Sequence, residues 1–437
     1  MLFQYDSFFF FFLTLLLFRI SCWFIYQFCM VLMILMFSLS NYCYFFSSIS
    51  FNFGFDCFSY WLIFLNLLIS SFMFLVCMVS YSIFFIYVNL SLFICLLLIF
   101  CTLNFFLMYL FFELSLLPLL LLILGWGYQP ERLVSGLYLF FYTFFASLPL
   151  FLVLLYLYVM MGFTFFDLVY FRFFNLYVIF SVFFAFLVKF PMYMFHFWLP
   201  KAHVQAPVSG SMILAGLLLS VGGYGFLRFL FMFEYVFYIY SYFIYSFCLY
   251  GSLLVSFICF SQGDLKCLIA YSSISHMGLC ILGLLSMSSW GVNGSYLMMI
   301  SHGLCSSCLF CLANIGYGCL LSRSFFLNKG LISFMPSYSM FWFIFCCFNM
   351  GCPPSLNFVS EVMIINSMFC YFNFSLFYFT IISFLGACFS YYLFSYSQHG
   401  MFHNFYCVKL GVVSDYLLIF SHFFPLILFM FVLDYLV

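Results

Sequence analysis

Residues 186–225 read F-L-V-K-F-P-M-Y-M-F-H-F-W-L-P-K-A-H-V-Q-A-P-V-S-G-S-M-I-L-A-G-L-L-L-S-V-G-G-Y-G. Lys189 stands in an apolar run long enough for a membrane, where a charge is expensive and usually functional. Pro191 follows two residues later. It cannot donate to the carbonyl of Leu187, and its ring clashes there, so the helix bends or breaks beside the lysine. Irregular backbone at membrane depth is tolerated where it faces protein or a water-filled cavity. A lysine, a broken helix and the water they admit together describe a proton or ion path. The plainer reading is a lysine that snorkels from a helix end.

The rest of the chain agrees with a membrane setting. Of 437 residues, 69% are hydrophobic and 5% are charged. A soluble domain carries about a quarter charged residues. The chain is therefore read as an all-α polytopic membrane protein. Zero net charge excludes nucleic acid and strongly acidic substrates as expected partners. The 21 cysteines follow no secreted spacing and read as small hydrophobes on helix faces. No Arg-rich transit peptide or basic n-region opens the sequence, so its apolar N-terminus is read as a retained first helix.

A span needs about 20 apolar residues. Gly, Pro, Ser and charge clusters punctuate the sequence into about fourteen transmembrane helices. They fall near 3–18, 22–41, 57–79, 82–102, 104–125, 134–160, 176–200, 208–229, 238–260, 266–285, 293–320, 338–367, 374–397 and 416–436. Residues 1–437 form a single membrane domain. It divides into N-terminal helices 1–80, a first five-helix repeat 82–229, a second 238–397 and a C-terminal helix 416–437. Alternate threading collects Arg19, Arg132, Lys201, Lys266, Arg323, Lys329 and Lys409 on one side. Only Arg172 and Arg228 reach the other, with Asp56, Asp167 and Glu234 near them. The positive-inside rule then puts both termini on the outer, positively energised side.

Several intramembrane groups are candidates for chemistry. Glu113, in F-F-E-L-S-L-L-P, lies deep in the fifth span and needs a cationic partner or a bound proton. Pro118 follows and is expected to bend that span. His276, in D-L-K-C-L-I-A-Y-S-S-I-S-H-M-G, lies about 15 Å along a helix from Lys266, near mid-membrane and among three serines. His302 sits within the next span. Histidine carries a proton at physiological pH, so both are candidate relays; the bland reading is hydrogen-bonding glue between helices. Pro353 and Pro354 break the twelfth span, and Glu361 lies about 11 Å beyond them. Two broken helices five spans apart are the mark of two inverted repeats.

Other features read as structural. Trp126 and Tyr128, in G-W-G-Y-Q-P-E-R-L, are interfacial belt residues. His196 and His203 read as satisfied polar groups; no ligand set accompanies them, so no metal is expected. Gly222, Gly223 and Gly225 serve helix packing. Cys305 and Cys308 fall within an apolar helix, which argues against a redox pair.

Taken in order, these blocks resemble the subunit 4 family of NADH dehydrogenase, the antiporter-like membrane-arm subunits of respiratory complex I. The blocks are F-G-F-D, F-F-E-L-S-L-L-P, W-G-Y-Q-P-E-R-L, the stretch quoted first, D-L-K-C-L-I-A-Y-S-S-I-S-H-M-G, S-H-G-L-C-S-S-C-L-F-C-L-A-N and P-P-S-L-N-F-V-S-E. The match is weak before Phe53 and after about Gly400. The resemblance implies the fourteen-helix antiporter-like fold, with Glu113 and Lys189 as the charged pair of the first repeat. His276, His302 and Glu361 match its polar axis, and Lys266 matches a lysine of the motif. The implied function is proton translocation across the inner mitochondrial membrane, driven by NADH oxidation and ubiquinone reduction in other subunits. No cofactor is expected on this chain. The implied partners are membrane lipids and other membrane-arm subunits, including subunits 2 and 5; the implied side for both termini is the intermembrane space. One position departs: Ser220 stands where the family has a lysine, and serine cannot hold a proton as a charge near neutral pH. The alternatives are a subunit of a cation/proton antiporter, or a structural membrane-arm subunit with an impaired channel.

Overall fold

The computed structural model describes residues 23–38, 48–50, 52–76, 82–166, 176–401 and 411–433. The expected span 3–18 lies outside them, as do Arg19, Asp167, Arg172 and Lys409. Ten helices among the described residues are long and apolar enough to cross a membrane. The other expected spans are the two broken ones and the sixteen-residue helix α1 (Trp23–Ser38).

A two-stranded antiparallel hairpin, β1 (Ser48–Ser50) and β2 (Phe53–Phe55), precedes α2 (Cys57–Val76). The all-α reading did not anticipate this hairpin. Asp56 and Ser59 cap α2 reciprocally: the Asp56 carboxylate accepts from the Ser59 amide at 2.9 Å, and the Ser59 hydroxyl accepts from the Asp56 amide at 2.8 Å. Two orphan amides are satisfied by this exchange. Next come α3 (Ile83–Cys101), α4 (Phe105–Leu114), α5 (Leu116–Trp126) and α6 (Arg132–Met161). The fifth span is interrupted at Ser115, between α4 and α5. Pro118 explains the position, because its missing N–H and its ring disturb the carbonyl four residues earlier. Gly162 ends α6 at φ 73°, a left-handed conformation that suits glycine.

The seventh span is broken. Helix α7 (Leu176–Lys189) stops at the lysine, residues 190–197 form turns, and α8 (Trp198–Gln205) resumes. Met194 adopts φ 82° within the break. The Val188 carbonyl, which would have met an amide of the next turn, accepts the Trp198 indole N–H at 3.0 Å. The eighth span consists of α9 (Val208–Ile213), a π-helical turn at Leu214–Leu218 and α10 (Leu219–Met232). Then follow α11 (Glu234–Cys259), α12 (Leu265–Leu285) and α13 (Ser289–Leu320).

The twelfth span is broken by the same means as the seventh. Helix α14 (Pro336–Asn349) ends before Gly351, which takes φ 75°, and α15 (Leu356–Tyr371) resumes after the prolines. The Phe348 carbonyl accepts from the Gly351 amide at 3.2 Å and from the Asn357 side-chain amide at 2.9 Å. In each break a side chain just beyond it donates to a carbonyl near the end of the first half-helix, while the Leu187 carbonyl that Pro191 cannot reach accepts from the Met192 amide at 3.0 Å. Helices α16 (Ser375–Gln398) and α17 (Val413–Phe431) close the described chain.

Three spans form the centre. Their most apolar windows are 100% buried for Val208–Met232 and Ser289–Leu320 and 94% buried for Leu265–Leu285, against 33% for Arg132–Met161. Small residues let these helices approach closely. Gly216, in the π turn, packs on the Gly303 carbonyl, next to His302. Gly222 packs on the backbone of Lys189 and Phe190, and Gly225 on the Phe186 ring. The glycine run 222–225 is thus a packing face, which seats α10 against the broken seventh span.

Candidate functional site

Lys189 is the last residue of α7 and is buried, 1% exposed. Its ammonium lies over the Phe112 ring, 2.9 Å from the centroid, and donates to the Phe112 carbonyl at 3.0 Å. Phe112 precedes Glu113, and the Lys189 and Glu113 charges interact electrostatically. The two residues are therefore neighbours, with the ammonium bonded to the adjacent backbone. The carbonyl and the ring face together supply the negative potential that a buried ammonium needs. Tyr109 and Ser147 lie within interaction range of the Glu113 carboxylate.

A second group of polar side chains runs through the central helices. Lys266 opens α12 and is 1% exposed, and its ammonium has no hydrogen-bond partner among the described residues. It lies 5.1 Å from the centre of the Tyr128 ring. The far side of this cluster holds Arg323, 5.4 Å from the same ring and 5.2 Å from that of Tyr317. His203 on α8 is fully buried, stacks on Phe310 with centroids 4.7 Å apart, and feels the charge of Lys266. His302 on α13 in turn interacts with His203 and with His276. The rings of His276 and His302 have centroids 5.6 Å apart. Asn349, at the end of α14, is within interaction range of His276. None of the ring nitrogens of His203, His276 and His302 makes a hydrogen bond of good geometry among the described residues.

Buried polar atoms without partners cost about 1–3 kcal/mol each. Several of them in one file, all ionisable, describe a hydratable path more readily than a packed core. By sequence alone, His203 reads as an ordinary polar group beside the interface. Its i, i+4 relation to Leu199 and its place on a broken helix carried no sign of the Phe310 stack or of Lys266. Both contacts come from α12 and α13, far away in sequence.

Glu361 lies on α15, against the backbone of Gly351: a side chain on that glycine would meet the carboxylate oxygen. It interacts with Cys280, one turn along α12 from His276. Ser220 is buried, and its hydroxyl donates to the Leu217 carbonyl of its own helix at 2.7 Å. It follows directly on the π-helical turn.

One ion pair among the described residues is not legible along the chain. Arg228 on α10 meets Asp56 at 2.6 Å, and its Nε donates to the Tyr224 hydroxyl at 2.9 Å. Tyr224 donates onward to the Phe100 carbonyl at 3.1 Å. Charge distribution along the sequence places Asp56 and Arg228 on one side of the membrane but does not pair them. No group of three or more His, Cys, Asp or Glu suited to a metal occurs among the described residues.

Comparison with known proteins identifies the family and the fold. Residues 102–390 match the family described as NADH:quinone oxidoreductase/Mrp antiporter, TM. The chain is 45% identical over 397 residues to NADH-ubiquinone oxidoreductase chain 4 of Ceratitis capitata, covering 89% of each. It is 45% identical over 415 residues to the chain of the same name from Locusta migratoria, covering 93% of each. Among solved structures, a chain of respiratory complex I from Thermus thermophilus superposes with a TM-score of 0.84 at 21% identity. That match covers 92% of this chain and 89% of that one. A chain of an archaeal membrane-bound sulfane sulfur reductase gives 0.84 at 16% identity, covering 99% and 94%. These two share the fold. The chain belongs to the NADH:quinone oxidoreductase/Mrp antiporter membrane family and, within it, to the NADH-ubiquinone oxidoreductase chain 4 group.

Proposed function

We propose that this chain carries protons across the inner mitochondrial membrane as a membrane-arm subunit of respiratory complex I. NADH oxidation and ubiquinone reduction take place in other subunits, and no redox centre is assigned to this one. The observation that carries the reading is the file of buried ionisable side chains Lys266, His203, His302 and His276, each interacting with the next.

In this reading Lys266, on the positively flanked side, passes a proton through His203 to His302 and His276. Glu361 receives it beyond Cys280. Glu113 and Lys189 form the switching pair of the first half: moving a proton on or off Glu113 changes the field at Lys189. The like placement of the two broken helices, each with a side chain, Trp198 or Asn357, bonded to the end of the first half, supports two inverted repeats over 82–229 and 238–397. The charge asymmetry supports both termini on the intermembrane-space side. Subunits 2 and 5 are the proposed neighbours along the arm.

Ser220 favours a second reading, a structural subunit with an impaired channel, because its hydroxyl is bonded within its own helix. One experiment separates the two. The intact complex, reconstituted into vesicles, is assayed for protons moved per NADH oxidised, with and without Lys189→Met. A lower ratio in an assembled complex supports the channel. An unchanged ratio favours the structural role.

A further inference from the structure

A cavity of about 500 Å³ opens on the positively flanked side, between the start of α6, helix α8 and the loop before α12. Its polar lining includes Glu131, Lys201, Gln205, Gln262 and Asp264. Gln205 is 4% exposed. Its amide nitrogen donates to Gln129 at 3.0 Å and to Glu131 at 3.3 Å, so the orientation of the amide is determined. Its carbonyl oxygen is then buried with no donor among the described residues. Such an oxygen costs about 1–3 kcal/mol until a donor arrives. The cavity wall thus carries the carboxylates of Glu131 and Asp264 and the side chain of Gln262, with the enclosed, unpartnered Gln205 oxygen in the same wall. It also offers one cation, Lys201, held 3.4 Å from the centre of the Tyr138 ring.

From this geometry we propose that the cavity binds the headgroup of an aminophospholipid, a phosphatidylethanolamine. The primary ammonium donates to Gln205, Glu131 and Asp264, and the phosphate pairs with Lys201. A zwitterion satisfies both signs of charge at once. A lysine side chain from a neighbouring protein would satisfy the acceptors but face Lys201 unpaired. The acyl chains have a path beside the headgroup: Leu133, Val134, Leu137 and Phe141 make an exposed apolar strip along α6. Helix α6 is among the spans least covered by the rest of the chain. Lys266 and His302 do not line the cavity, although Cys267, next to Lys266, and Val204, next to His203, do; the lipid count reads its occupancy without reference to proton transfer.

The test uses the intact complex. Detergent-stripped complex is reconstituted in nanodiscs holding equal phosphatidylethanolamine and phosphatidylcholine, washed, and its retained lipids are counted by mass spectrometry. Wild-type complex is expected to retain one more phosphatidylethanolamine than a complex carrying Glu131→Gln with Asp264→Asn. Lys201→Met is expected to lose that lipid as well. If the variants do not assemble, wild-type complex is reconstituted with N-methylated ethanolamine lipids instead; occupancy should fall as donors are removed. Equal retention by wild type and variants, or equal retention of methylated lipids, overturns the proposal. So does a map of the complex with a neighbouring subunit's side chain, or water alone, in the cavity.

Discussion

The ammonium of Lys189 is bonded to the backbone of Phe112, not to the carboxylate of Glu113 one residue further on. The lysine is thereby held at the end of α7 while the Glu113 carboxylate stays unbonded to it. Charge on Glu113 reaches Lys189 through space, across one peptide unit and the Phe112 ring. A direct ion pair would instead need breaking before either group changed partner. The break at Pro191 ends α7 at the lysine, so the side chain leaves the helix at its terminus.

Replacing Glu113 by Gln removes the charge while keeping shape. The complex is expected to assemble, and proton transfer through this subunit is expected to slow by about 100-fold, the usual contribution of a positioned proton carrier. Proton uptake by vesicles, measured against NADH oxidation, checks this. Full pumping by an assembled Glu113→Gln complex would remove Glu113 from the path.

His203→Phe keeps a ring to stack on Phe310 and removes both nitrogens. Assembly is expected to persist while pumping falls as it does for His302→Phe. If His203→Phe pumps normally and His302→Phe does not, His203 is only a core residue.

Ser220→Ala removes a hydroxyl bonded within its own helix. Stability is expected to change by under about 1 kcal/mol, since the lost bond is an ordinary neutral one. Proton pumping should also be unchanged. A drop in pumping without loss of assembly would show that the hydroxyl, or water on it, relays protons.

The Asp56–Arg228 pair ties α2 to α10. Arg228→Met strands a buried carboxylate, a loss of about 3–5 kcal/mol. Native-gel assembly and thermal melting of the complex read this out. The double variant Asp56→Asn with Arg228→Met should recover part of the loss. Additive losses would mean that the two charges act separately.

Gly351 has φ 75°, and a Cβ there would meet Glu361. Gly351→Ala is expected to cost about 1–3 kcal/mol in backbone strain. It should lower pumping along with stability, because it displaces the carboxylate. A variant that melts earlier but pumps at the wild-type ratio would separate Glu361 from the path.

Much of this protein is legible along the chain, because a membrane demands long apolar runs and penalises every exception. Lys189, Glu113, Glu361 and the mid-membrane histidines stand out against that background for the same reason. Proline marks both broken helices locally: the missing N–H acts within four residues, so sequence alone places the breaks. Partners are another matter. That Lys189 bonds to Phe112, that Arg228 meets Asp56, and that His203 lies between Lys266 and His302 depends on helices brought together across the fold. The hairpin at Ser48–Phe55 and the π-helical turn before Ser220 were equally silent in the sequence. A π-helical turn adds no distinctive residue type, and here it holds Gly216 packed on Gly303. Apolar periodicity says which residues leave water; only the tertiary packing decides which polar groups they bring together once they have.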